Sequence, residues 1–167
     1  MQESHALPRF SSIPAAQAER LLGVLGLAHS VLPVALHDAG IPHLYVMADT
    51  PEAVRAIVPN FPALGQVAGR SRINIFALTG TATAITRMFS PYDRVPEDPA
   101  CGSAAGPLAA HLVRHQLAPS GVEITLSGRL RKSFGGLAPE PVSCVSSRQK
   151  LFPICGFVGV TRLITAW

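Results

Sequence analysis

The stretch from Arg87 to Leu112 limits the possible folds of this chain more tightly than any other, because the backbone must change character twice within it. Arg87 to Phe89 closes an apolar-polar alternation that reads as a strand. Pro91 to Pro99 cannot continue a strand or a helix, and from Ser103 small residues lead into Leu108, Leu112 and Val113 on one helical face. This order of strand, polar turn and helix start sets the amides of Gly102, Ser103 and Ala104 at the positive end of a helix, where a carboxylate binds readily. Asp98, Cys101 and Ser103 occupy the same spot, and each can hold or move a proton. The same residues also have plain structural uses: Asp98 can turn a loop, Ser103 can cap a helix, and a cysteine can be a small buried filler.

Elsewhere helical and extended patterns alternate. Pro14 opens a helix through Leu25, with Leu21, Leu22 and Leu25 on one side and Gly26 as its stop. Ser30 to Leu36 and Leu44 to Ala48 read as strands of a hairpin-like pair turned at Asp38-Ala39-Gly40. Thr50 caps a helix with Pro51 in its first position, and Pro62 to Gly69 forms a further short helical turn. Ile73 to Leu78 and Ala84 to Phe89 are strands split by Thr79-Gly80-Thr81, and Val122 to Leu126 is a strand after the helix that ends near Leu117. Beyond Arg131 the pattern is less coherent, with extended stretches at Val142 to Val145 and Leu151 to Val160. Interleaving of this kind gives an α/β or α+β layer with a helix lying against a curved sheet.

The string Glu97-Asp98-Pro99-Ala100-Cys101-Gly102-Ser103-Ala104-Ala105-Gly106-Pro107-Leu108, preceded by Arg87-Met88-Phe89-Ser90-Pro91, resembles the signature of the phenazine-biosynthesis PhzF-like isomerase family. That family shares its fold with diaminopimelate epimerase and proline racemase. Weaker likeness runs over about Leu7 to Leu130 and includes the turn Ala39-Gly40-Ile41-Pro42 into His43-Leu44-Tyr45-Val46. The resemblance implies one lobe of a two-lobed protein, a curved mixed sheet wrapped on a central helix. Residues 1–167 would be that single, second lobe, with 131–167 as a tail that matches poorly.

The resemblance also implies a mechanism: a proton is moved on a small carboxylate by acid/base groups, with no metal and no organic cofactor. Asp98 matches the aspartate that handles the proton, and Gly102 and Ser103 match the turn that holds the substrate carboxylate. Ala100-Cys101-Gly102-Ser103 also resembles the turn of the related cysteine epimerases and racemases, which makes Cys101 a second proton carrier. A thiol at a helix N-terminus ionises more readily than a free one. Arg87 either holds the anionic substrate or anchors Glu97 or Asp98, and both roles stay open. The family's principal glutamate base and its opposing histidine belong to the first lobe, and nothing resembling their motifs occurs here. A homodimer of this chain, or a separate first lobe, would complete the cleft. A non-catalytic carboxylate-binding lobe is the alternative.

Composition narrows the partners. A length of 167 residues suits one domain, which buries roughly 70% of its unfolded surface. With 48% hydrophobic and only 14% charged residues, the chain is apolar enough to suggest a face meant for another lobe or subunit. Its charge of +4 is dispersed apart from Arg129, Arg131 and Lys132, and 6% aromatic residues do not make a nucleic-acid surface. No apolar run is long enough for a membrane span, and no secretory leader is evident. Three cysteines without a framework spacing point to a reducing compartment, the cytoplasm. His111 and His115 lie four apart on one helix but lack a third ligand at suitable spacing, so no metal is expected.

Overall fold

A computed structural model describes residues 10–38, 40–98, 101–119, 123–128 and 160–164. Its strands are β1 (Phe10–Ser12), β2 (Ala35–Asp38), β3 (Pro42–Met47), β4 (Arg72–Gly80), β5 (Thr83–Ser90), β6 (Val95–Asp98), β7 (Glu123–Gly128) and β8 (Val160–Ile164). The helices are α1 (Ala15–Leu25), α2 (Pro51–Ala56), α3 (Phe61–Ala68) and α4 (Gly102–Arg114). The strands join in one curved, unclosed sheet in the order β1-β2-β3-β4-β5-β7-β8. β3 runs parallel to β4 and β5 parallel to β7, while the other neighbours are antiparallel.

Local chemistry accounts for several element ends. The Thr50 hydroxyl accepts the Ala53 N–H at 3.1 Å, with Pro51 behind it, and the Asn60 side chain accepts the Ala63 N–H at 3.2 Å, with Pro62 in the first turn of α3. Gly26 ends α1 at φ +72°, a left-handed conformation that costs glycine nothing. At the tip of the β2–β3 hairpin the Gly40 N–H is held by Asp38 Oδ1 at 2.9 Å. The strand expected from Ser30 begins only at Ala35; Ser30 instead uses its hydroxyl to bond both the N–H and the carbonyl of Met47.

A second difference lies in the signature turn. Val95–Asp98 forms a strand inside the segment that the prolines were expected to keep irregular. β5 makes room for it, pairing β7 through Thr83 to Thr86 and β6 through Met88 and Ser90. Pro96 is tolerated because, among the described residues, β6 pairs with β5 alone, which leaves a residue without an N–H on an edge. The strands read at Val142 to Val145 and Leu151 to Val160 fall outside the described residues, except for Val160, which opens β8.

The two parallel pairings need crossovers, and these lie on opposite faces. Because the β4–β5 hairpin reverses the chain direction, the right-handed rule that puts α2 and α3 on one face puts α4 on the other. Side-chain alternation follows suit. Leu44, Val46, Ile73, Ile75, Ala77, Ile85 and Phe89 pack with α1, α2 and α3. Tyr45, Met47, Phe76, Ala84, Ile124 and Leu126 pack on Ala105, Leu108, Ala109 and Leu112 of α4. The curved sheet wrapped on one central helix is therefore present, and three further helices cover its back.

Candidate functional site

Helix α4 begins at Gly102, and no side chain caps it. The Cys101 carbonyl accepts from Ala104 and Ala105, so the Ala104 amide, expected to point outward, is taken up inside the helix. Gly102 and Ser103 lead the helix and are both exposed, whereas Cys101 is half-buried. Asp98, three residues earlier, is half-buried on β6 and opposite Met88 in register, so its side chain shares the α4 face of the sheet.

Ser103 is the centre of a connected polar group. Its Oγ lies 3.2 Å from Cys101 Sγ, 3.2 Å from His43 Nε2 and 3.4 Å from Arg72 Nη1. His43 is only 1% exposed, and its Nδ1 faces Asn74 Nδ2 at 3.0 Å. Asn74 also donates to the Leu44 carbonyl at 3.2 Å. Arg72 is pinned by Asp93 at 2.8 Å, and Asp93 accepts in turn from the Ser90 hydroxyl. Tyr45 donates to the Ala104 carbonyl at 2.9 Å and ties the first turn of α4 to β3.

Burial dominates the protonation states. Desolvation, with Arg72 and His37 nearby, lowers the pKa of His43 from 6.5 to about 4, so the ring is neutral near pH 7. Burial raises that of Tyr45. Hydrogen bonds from Ser90 and then Arg72 hold the Asp93 carboxyl below its ordinary value. On the same face, desolvation lowers His37, and it lowers His111 to about 4.

Of the residues expected from sequence, Cys101, Gly102 and Ser103 come together at the head of α4, with Asp98 on the adjoining strand. Arg87 is not brought to them. It projects from the opposite face of β5, in step with Ile85 and Phe89, and its Nε and Nη2 grip Glu97 at 2.8 and 3.0 Å. Nη1 donates to the Val54 and Ile57 carbonyls, at 3.1 and 2.7 Å, at the end of α2. Four of its five N–H donors thus serve protein groups. Among the described residues the cation near Ser103 is Arg72.

His43, Asn74 and Arg72 were not singled out from the sequence. Their signal was faint: a histidine and an asparagine inside otherwise apolar strands, Pro42–Met47 and Arg72–Gly80, where an unpaired polar group would be costly. His111 and His115 do meet, with rings 4.5 Å apart and edge-on. Among the described residues no group of three His, Cys, Asp or Glu side chains comes together as a metal site.

This chain is similar to known proteins of one family. Residues 5–133 match the model of the PhzC-PhzF family, described as phenazine biosynthesis-like protein. A trans-2,3-dihydro-3-hydroxyanthranilate isomerase of Pseudomonas aeruginosa is 41% identical over 106 residues, covering 64% of this chain and 37% of the relative. Among solved structures, a PhzF-family phenazine biosynthesis protein of Bacillus anthracis superposes with a TM-score of 0.60 at 21% identity, over 72% of this chain and 44% of that one. A predicted epimerase of Pseudomonas aeruginosa gives 0.54 at 24% identity, over 72% and 43% respectively. This chain therefore spans less than half the length of these relatives. On the family match and the shared fold together, the chain belongs to the PhzC-PhzF family of phenazine biosynthesis-like proteins.

Proposed function

We propose that this chain is the carboxylate-holding half of an isomerase-type enzyme, one that moves a proton on a small carboxylate by acid/base catalysis without a metal or organic cofactor. The observation that carries this reading is the head of α4: an exposed, side-chain-uncapped first turn at Gly102 and Ser103, with the Cys101 thiol against the Ser103 hydroxyl. Two leading amides, a hydroxyl and the Arg72 guanidinium supply hydrogen-bond donors for a carboxylate, and Asp98 or Cys101 exchanges the proton. Substrate identity is left at small carboxylic acids. The compound in the Pseudomonas aeruginosa relative's name is one, and is the first to test.

The opposing acid/base group comes from a first lobe or from a second copy of this chain across a cleft, acting in the cytoplasm. Symmetric pairing is the commonest oligomeric arrangement, and light scattering of the chain alone separates a dimer from a monomer. The alternative is a carboxylate-binding lobe without turnover, since nothing in this sequence resembles the motif of the family's glutamate base. Solvent-deuterium incorporation into candidate acids decides between them. The enzyme predicts incorporation that falls about a hundredfold or more in Asp98→Asn, with a smaller loss of about tenfold in Cys101→Ser. Binding with no incorporation for any acid leaves the alternative.

A further inference from the structure

The geometry points to His43, held by Asn74, as the positioning residue that turns the Ser103 hydroxyl hydrogen outward, toward Cys101 and toward an anion seated at the head of α4. The part concerning the anion rests on the carboxylate reading above; the part concerning Cys101 stands on distances alone.

The orientation of Asn74 comes first. Its Nδ2 lies 3.2 Å from the Leu44 carbonyl, which can only accept, so the amide nitrogen is the atom facing both that carbonyl and the His43 ring. His43 Nδ1 must then accept from Asn74, and in a neutral ring the proton resides on Nε2. From there it is donated to Ser103 Oγ at 3.2 Å. Arg72 has no acceptor either and approaches the same oxygen from Nη1 at 3.4 Å. A hydroxyl oxygen has two lone pairs, and both are now engaged.

The hydroxyl's own hydrogen must therefore go elsewhere. Among the described residues Cys101 Sγ, at 3.2 Å, is the acceptor in reach. The thiol–hydroxyl contact, reversible by geometry alone, thus acquires a direction: Ser103 donates and sulfur accepts. A ligand oxygen arriving at the helix head meets the same outward hydrogen. The depressed protonation of His43 keeps the ring neutral near pH 7, so this arrangement persists there. His43 and Asn74 are 1% and 3% exposed, which places them behind the site as supports.

The experiment uses the full chain in two arms. Long-range 1H–15N correlation at neutral pH reads the His43 tautomer; the proposal requires the proton on Nε2, and a proton on Nδ1 overturns it. The second arm follows alkylation of Cys101 by iodoacetamide, resolved from Cys144 and Cys155 by peptide mass spectrometry. Loss of the donated hydrogen in His43→Leu slows the reaction about two- to tenfold, the size of one hydrogen bond. His43→Gln, whose amide still donates, recovers most of the rate. Ser103→Ala slows it equally and makes His43→Leu without further effect. Equal rates in wild type and a folded His43→Leu overturn the proposal, and if that variant does not fold the tautomer decides alone. Absence of deuterium exchange with both arms intact removes the enzyme reading and leaves the positioning role standing.

Discussion

On the face covered by α1, α2 and α3, the buried polar chemistry closes on itself, whereas on the α4 face it forms a chain of groups that ends at the surface. Arg87 and Glu97 have side chains only 4% and 10% exposed, satisfy one another twice, and spend the remaining contacts on α2 carbonyls and the Phe89 ring. Across the sheet, Asn74, His43 and Ser103 pass a hydrogen-bond direction from the core to an exposed turn. The closed pair ties β5, β6 and α2 together, and the open-ended series leads to the candidate site.

The largest test breaks the closed pair. Glu97→Leu strands a buried guanidinium and lowers stability by about 3–5 kcal/mol in denaturant unfolding, while adding Arg87→Met recovers most of it. A loss below about 1 kcal/mol would show that solvent reaches the pair.

Acid distinguishes the faces next. His43 and His111 have pKa values of about 4 in the folded chain against 6.5 in the unfolded one. Between those values the unfolded chain binds more protons, so their contribution is fully present above pH 6.5 and drains away as the pH falls toward 4. Each accounts for up to ~3 kcal/mol. Thermal melts across that window should show His111→Phe losing less stability on acidification than wild type, and Thr50→Ala, on the other face, losing as much.

Smaller effects sharpen the picture. Tyr45→Phe removes the bond to the Ala104 carbonyl for about 1 kcal/mol and should raise hydrogen exchange in the first turn of α4 specifically. Thr50→Ala removes the α2 cap for about 1 kcal/mol and should leave Cys101 alkylation unchanged.

Much of this was legible in the chain because it is written locally. Thr50-Pro51, the stop at Gly26, the Asp38 turn and the run from Cys101 into α4 each specify their conformation within a few residues. The Val95–Asp98 strand was not legible, since Pro96 argues against a strand unless the edge position is already known. His43 and Asn74 escaped for another reason. They lie 31 residues apart and meet through the parallel β3–β4 pairing, Tyr45 opposite Asn74, which no short-range pattern reports. Arg87 shows the converse: its two roles were left open, although period-two alternation along β5 puts it on the side of Ile85 and Phe89.

Pro107 gives the α4 turn one more property. Lacking an N–H, it offers nothing to the Ser103 carbonyl four residues back, so the leading turn forgoes one helical bond and is fastened also by Tyr45 and His43 on β3. The head of α4 accordingly takes part of its aim from β3, through Tyr45 and His43. Substitutions along that strand would retune the turn remotely, as a rifle is sighted from the stock rather than the muzzle.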